Sequence, residues 1–252
     1  VRYVFEAEQG LSPARNRGWR EARGRYVAYV DDECRMPRDW IRNMTATIEA
    51  QAPEMLGGPY DACFDEPPPA WYRRPYFSTV WKGVTLRAMG PNEFLAGGNM
   101  VIRRDLFDHV GTFDPALGMK GGAVAYGEET AFQKRLMQIM PEAKRLYDPS
   151  LSIDHLVRDA KLGIKKLLQQ RIAAGRSGWR MARSLGQTES NEDVPSRDLA
   201  ITTAKLAWHV LIGMPFRKRA LYPYPQNYLR EVVGLTAARL GRLLERRRDL
   251  RS

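Results

Sequence analysis

Short apolar runs of β type alternate with helical patterns up to His155, and this alternation constrains the fold most strongly. A β-rich run over residues 25–30 follows a helical pattern over residues 13–23 and precedes another over residues 38–50. This strand, helix, strand order predicts an α/β architecture with a mostly parallel sheet flanked by helices. Because 44% of the residues are hydrophobic, the chain can bury a core, which excludes disorder throughout.

Further patterns extend the alternation along the same segment. Strands are predicted over residues 1–6, 56–59, 94–102 and 151–155, and helices over residues 105–109 and 128–140.

The charge is distributed unevenly along the chain. Up to His155 there are 20 Lys and Arg against 21 Asp and Glu, whereas residues 156–252 hold 20 against 8, a net charge of +12. The second part reads as helices over residues 162–185, 199–216 and 228–250, with a polar linker over residues 186–197. We therefore predict an α/β domain over residues 1–155 and a basic helical appendage over residues 156–252, for which a solvated basic surface without a partner is the alternative.

The two cysteines and the start of the chain bear on its cellular compartment. Cys34 and Cys63 cannot build a disulfide scaffold and lack the spacing of a zinc site, so a reducing compartment is expected. We expect neither a leader peptide nor a membrane-spanning helix in these residues, because they hold no basic-then-apolar start and no long uninterrupted apolar run. Since it begins at Val1, we expect it to be a piece of a longer protein.

Three consecutive acidic residues, Asp31, Asp32 and Glu33, follow the strand predicted over residues 25–30. Adjacent carboxylates at a strand end repel one another and lose hydration, which is costly unless a cation lies among them. Hard oxygen ligands favour Mg²⁺ or Mn²⁺, and the carboxyl edge of a sheet is where open α/β folds bind ligands. A helix cap or a solvated turn is the alternative.

The surrounding residues resemble a known family. Residues 11–40 resemble the donor-binding half of family 2 inverting glycosyltransferases, which share the glycosyltransferase-A fold. The matching positions are Ser12, Arg15, Asn16, Gly18, Asp31, Asp32, Glu33, Pro37, Asp39 and Trp40. The resemblance implies that Arg15 and Asn16 bind the donor or acceptor and that the acidic triplet holds the metal, with Glu33 where the family most often has Asp.

The resemblance continues over residues 94–118 and 125–136. It implies that Gly97, Gly98 and Asn99 approach the donor and acceptor, and that Glu129, or else Glu128, is the catalytic base in place of the family's Asp. The resemblance also places His155 near the metal, and a purely structural histidine is the alternative. Arg135 either faces the diphosphate or simply decorates its helix.

The implied activity is metal-dependent transfer of a sugar, with inversion, from a nucleoside-diphosphate sugar to an acceptor hydroxyl. In such a reaction a base deprotonates the attacking hydroxyl while Mn²⁺ or Mg²⁺ neutralises the leaving diphosphate. Bacterial surface or exopolysaccharide synthesis and a lipid-linked saccharide acceptor are the expected context. The family's first strand and helix would precede Val1, so this piece alone is expected to lack half of the nucleotide pocket, and its activity in isolation is left open.

The basic region suggests a membrane partner. Residues 199–216 read as an interfacial helix with Trp208, followed by the cations Arg217, Lys218 and Arg219. Packing of this helix on the catalytic domain is the alternative. We expect a cytoplasmic protein, peripheral at the inner face of the cell membrane. The competing function is a non-catalytic module that binds membrane or nucleic acid, with nucleic acid disfavoured because no recognisable motif is present.

Overall fold

The computed structural model describes residues 2–187 and 194–251. The chain divides into two compact units. The first comprises Val1–Pro68, Arg73–Asp114 and Glu128–Val157, and the second comprises Pro69–Tyr72, Pro115–Gly127 and Arg158–Ser252. The domain boundary after residue 155 stays a prediction, and two short segments before it belong to the second unit. Within the predicted linker, residues 188–193 lie outside the described residues.

Among its described residues, the first unit combines four α-helices with eight short strands. Its helices are α1 (Leu11–Glu21), α2 (Trp40–Gln51), α3 (Leu106–Val110) and α4 (Glu128–Ile139). Its strands are β1 (Tyr26–Val30), β2 (Cys34–Arg35), β3 (Met55–Gly57), β4 (Tyr60–Cys63), β5 (Arg87–Ala88), β6 (Asn99–Arg103), β7 (Arg145–Tyr147) and β8 (Ile153–Leu156). The strand predicted at the start of the chain is not formed at residues 2–6.

The strands form a five-stranded sheet in the order β1-β6-β3-β7-β5 and a three-stranded sheet in the order β2-β8-β4. Sheets flanked by helices confirm the predicted α/β class, but the prediction of a mostly parallel sheet is wrong. In the larger sheet β3 and β7 pair in parallel, while the other three pairings are antiparallel. The strand β6 lies between β1 and β3 and runs antiparallel to both. Parallel neighbours require a crossover connection, usually a helix, whereas a loop leads into β6.

Both faces of the larger sheet are buried. Successive strand residues point to opposite faces, so Met100 and Ile102 pack into one apolar cluster with residues of α3 and α4, while Val101 packs into another with residues of α2. Met100, Val101 and Ile102 are all 0% exposed. The apolar run at β6 therefore forms the centre of the core.

The second unit is helical. It contains α5 (Ile164–Ser184), α6 (Ser196–Trp208), α7 (Pro225–Tyr228) and α8 (Gly234–Asp249), together with π-helical segments at His209–Gly213 and Leu229–Val233. The three predicted helices are thus confirmed, with π-helical turns extending α6 and preceding α8. Within residues 2–187 and 194–251, no helix is both long and apolar enough to cross a membrane.

Helices α5 and α8 approach each other closely through glycine. A Cβ on Gly175 would overlap the carbonyl of Ala238, and one on Gly241 would overlap the carbonyl of Ile172. Further along the same helix pair, Arg180 donates to the Glu245 carboxylate at 2.7 Å. Small residues at the crossing therefore set how closely the two backbones pack.

Candidate functional site

The pairing of β1 with β6 brings two predicted motifs together. Val30 lies opposite Asn99 in the antiparallel register, so the next positions outward, Asp31 and Gly98, face one another. A Cβ on Gly98 would collide with Asp31 Oδ2 and would lie 2.8 Å from the ring of Tyr60. Glycine at this position therefore allows the Asp31 carboxylate to lie directly against the backbone.

Arg15 connects this carboxylate to the second acidic motif. Its guanidinium Nη2 lies 3.6 Å from Asp31 Oδ1, and its Nη1 donates to Glu128 Oε1. The side chains of Arg15 and Glu128 are only 7% and 4% exposed. A Cβ on Gly97 would overlap the same guanidinium. A buried cation thus bridges two carboxylates whose sequence positions lie far apart.

Glu128 and Glu129 open α4, where negative charge interacts favourably with the helix dipole. The orientation of this helix end is fixed one turn further on by Gln133. Its Nε2 donates to the carbonyl of Leu95 at 3.0 Å, and its Oε1 accepts from the Leu95 N–H at 2.8 Å. This two-way bond holds the start of α4 beside the segment that leads into Gly97.

The two glutamates differ in their surroundings. Glu128 is paired with Arg15. Burial and, next, the neighbouring Glu128 carboxylate raise the pKa of Glu129 to about 8, although Arg15 opposes the shift. A carboxyl group with such a pKa is able to exchange a proton near neutral pH. The assignment of Glu129 as the catalytic base stays a prediction.

Sequence analysis missed Tyr60 at this site. Its hydroxyl donates to Asp31 Oδ2 at 3.2 Å, and its ring stacks on His155 with 4.7 Å between the ring centroids. Burial, with Asp31 as the next cause, raises the pKa of the Tyr60 hydroxyl, so it remains a hydrogen-bond donor. A tyrosine immediately after Gly57, Gly58 and Pro59 was the available signal, but only the fold shows that it faces Asp31.

Three predicted binding residues make structural contacts. Asn16 exchanges two hydrogen bonds with the backbone of Phe113, at 2.8 and 2.9 Å. Asn99 is 0% exposed and donates to the carbonyls of Pro59 and Leu151. Arg135 donates to the carbonyl of Thr112. Their contacts with a substrate stay predictions.

The predicted metal ligands do not form a cage on their own. Among residues 2–187 and 194–251, no three His, Cys, Asp or Glu side chains are grouped so that they could hold a metal ion. His155 instead stacks on Tyr60. Mg²⁺ is commonly held by one or two carboxylates together with substrate phosphates, and the Asp31 side chain is 36% exposed. The hard oxygen donors therefore fit a cation shared with a diphosphate, and the ligand assignments stay predictions.

Comparisons with solved structures give distant similarities. The chain is similar to GalNAc-T7 with UDP, GalNAc and Mn²⁺, at 17% identity and a TM-score of 0.44, covering 85% of this chain and 45% of that one. It is also similar to S. aureus TarS 1–349 in complex with UDP-GlcNAc, at 14% identity and a TM-score of 0.45, covering 99% of this chain and 74% of that one. The chain is similar as well to S. aureus TarS 1–349 in complex with UDP, at 13% identity and a TM-score of 0.44, covering 96% of this chain and 71% of that one.

Among the sequence comparisons, a family model matches the N-terminal part of the chain. No curated protein sequence matches the chain. Residues 1–111 match the model of the family described as glycosyl transferase family 2. This segment contains Arg15, Asp31 and Gly98, which the first unit assembles at one place. The match to the glycosyl transferase family 2 model thus covers the segment that carries these three residues.

Proposed function

We propose that the chain transfers a sugar, with inversion, from a nucleoside-diphosphate sugar to an acceptor hydroxyl. The observation that carries this proposal is the unequal pair at the start of α4, where Glu128 is engaged by Arg15 and Glu129 has a raised pKa. A base with a pKa near the working pH is the most effective in proton transfer. The family match of residues 1–111 supports sugar transfer as the reaction.

In the proposed reaction Glu129 takes the proton of the acceptor hydroxyl as its oxygen attacks the anomeric carbon. The bond from that carbon to the diphosphate oxygen breaks, and its electron pair leaves with the diphosphate. A single displacement of this kind inverts the configuration and needs one base on the attacking side. Glu128, held by Arg15, positions the start of α4.

Replacing each glutamate by glutamine separates the two roles. We expect Glu129→Gln in the full-length protein to lower turnover about a hundredfold or more while donor affinity changes little, because the amide cannot accept the proton. Nucleoside-diphosphate release from a panel of UDP-, GDP- and dTDP-sugars measures turnover, with free and polyprenyl-linked saccharides as acceptors.

Glu128→Gln is the matched control. A larger loss of turnover in this variant than in Glu129→Gln would exchange the two roles. Absence of turnover with every donor would contradict the proposed activity. Faster transfer to the polyprenyl-linked saccharide would support the proposed role in bacterial surface polysaccharide synthesis, and equal rates would count against it.

We further propose that the acidic triplet, with Asp31 and Glu33 as the principal ligands, holds Mn²⁺ or Mg²⁺ together with the donor diphosphate. When bound, the cation supplies neutralisation of the leaving-group charge. Calorimetric titration of UDP into the protein with Mn²⁺ should show binding that chelator abolishes and Asp31→Asn weakens strongly. Equal binding by the variant, or binding insensitive to chelator, would remove the metal assignment.

A further inference from the structure

The C-terminal end of α6 and the residues that follow it expose an unusual amount of apolar surface. Trp208 is 56% exposed, Leu211 68% and Phe216 81%. Single exposed apolar residues are ordinary, whereas several large ones in one stretch indicate an interaction surface. The π-helical segment His209–Gly213 continues the helix through this region.

Four large exposed side chains near the end of α6 share one side of the helix. Ile201, Lys205, Trp208 and Ile212 recur at intervals of three or four residues, which places them on one helical face. This face and the turn after it are called the α6 surface. It comprises Ile201, Lys205, Trp208, Leu211, Ile212, Phe216, Lys218, Arg219 and Leu221.

The α6 surface borders a cationic cavity of about 460 Å³ between α6 and α8. Lys205 and Arg239 supply two cations to its lining, and Thr202 and Thr236 supply hydroxyl groups. Asp198 is the one carboxylate among the lining residues. Cations and hydroxyls together are the donors that a phosphate group accepts from.

The sequence placed Arg217 in the exposed basic cluster, but its side chain binds the backbone of its own turn. Its guanidinium donates to the carbonyls of Met214 at 3.1 Å, Tyr222 at 2.9 Å and Pro223 at 2.8 Å. These three bonds fix the turn that follows the π-helical segment. Of the predicted basic cluster, Lys218 and Arg219 remain exposed at this turn.

We propose that the α6 surface and its cavity dock on a bilayer that contains anionic phospholipids. Trp208, Leu211 and Phe216 enter the boundary between head groups and acyl chains. Lys205 and Arg239 take a lipid phosphate in the cavity, while Lys218 and Arg219 lie on neighbouring head groups. Apolar insertion and electrostatic attraction add in such interfacial binding.

Charge distinguishes this partner from a second copy of the chain. A symmetric dimer through the α6 surface would bring the same cations against each other, which is unfavourable. An anionic bilayer offers the complementary charge together with an apolar layer for the exposed side chains. Nucleic acid offers the charge but no apolar layer of this kind.

Vesicle sedimentation of the full chain tests the proposal. We expect binding to phosphatidylcholine vesicles that contain about a third phosphatidylglycerol, weak binding to pure phosphatidylcholine, and a decrease with salt because exposed charges are screened. Lys218→Gln with Arg219→Gln should weaken binding at low salt roughly tenfold or more. Leu211→Ser with Phe216→Ser should remove the part of the binding that resists salt.

Matched variants control for charge and hydrophobicity. Lys165→Gln with Arg176→Gln removes two exposed cations from α5, and Val84→Ser with Ile139→Ser removes two exposed apolar side chains from the first unit. Both control variants should bind nearly as the wild type does. Should Leu211→Ser with Phe216→Ser lower the melting temperature, the Lys218 and Arg219 variant decides, because both side chains are exposed.

Three results would overturn the proposal. The first is no binding to anionic vesicles at low salt. The second is an equal loss of binding in the control and test variants. The third is binding of DNA or RNA oligonucleotides, or self-association in sedimentation velocity, that Lys218→Gln with Arg219→Gln weakens while vesicles fail to compete.

Discussion

At the scale of single residues, Glu129 should make stability and turnover respond to pH in opposite directions. Its pKa is raised to about 8 from an ordinary value of 4.5. At pH values between about 4.5 and 8, the Glu129 carboxyl group of the folded protein holds a proton that the same group in the unfolded chain has released. The free energy of unfolding should therefore fall as pH rises through this window, while turnover should rise as the base ionises.

Urea unfolding at several pH values in that window measures the first effect, and the pH profile of turnover measures the second. Glu129→Gln supplies the control because its amide does not titrate, so the difference in unfolding free energy between wild type and variant should change with pH. A difference that is constant across the window would show that Glu129 keeps an ordinary pKa in the folded protein.

Local sequence patterns predicted some residues of the candidate site but not the side chains that contact them. The acidic triplet after a strand and the glutamates opening a helix are local patterns, so β1 and α4 could be predicted around Asp31 and Glu128. That Arg15 would bridge these carboxylates depends on where α1 packs, which no local pattern contains. Tyr60 was missed for the same reason, because its contact with Asp31 is tertiary.

At the scale of elements, the crossing of α5 and α8 depends on glycine. We expect Gly241→Ala to lower the free energy of unfolding by about 1–3 kcal/mol, because the added methyl group overlaps the carbonyl of Ile172 and forces the helices apart. Chemical denaturation of the full chain measures the change.

Gly178→Ala is the matched control on α5, where an added Cβ would meet nothing within 4 Å. Since alanine favours helix over glycine by about 1 kcal/mol, this variant should be neutral or more stable. Equal destabilisation by the two substitutions would contradict close packing at Gly241 as the cause of the loss.

Helices were predictable at this scale and sheet pairing was not. The long pattern of α5 predicted its bounds to within two residues, since 3.6-residue periodicity is a property of the segment itself. The pattern over residues 228–250 predicted the end of α8 but also included the π-helical segment before it. The two- and three-residue strands β2, β5 and β7 carry too few residues to show alternation. The direction of β6 depends on its neighbours, so the parallel sheet was inferred wrongly.

At the scale of the whole molecule, the chain divides into a mixed α/β unit and a helical unit. The uneven charge predicts two regions, because acidic motifs lie before His155 and the surplus of cations lies after it, and the boundary after residue 155 stays a prediction. It could not anticipate that residues 115–127 belong to the helical unit, since that assignment depends on tertiary contacts. The transfer chemistry and the membrane surface are therefore proposals for different units, and each can fail without the other.

The antiparallel register of β1 and β6 also determines which changes of chain length the site tolerates. Because Val30 and Asn99 are opposite one another, the acidic triplet and the glycine pair keep their alignment whatever the length of the chain between them. An insertion in the exposed loop at residues 65–68 leaves that alignment unchanged. One residue added inside β1 would instead exchange the two faces of the strand and turn the Asp31 carboxylate away from Arg15.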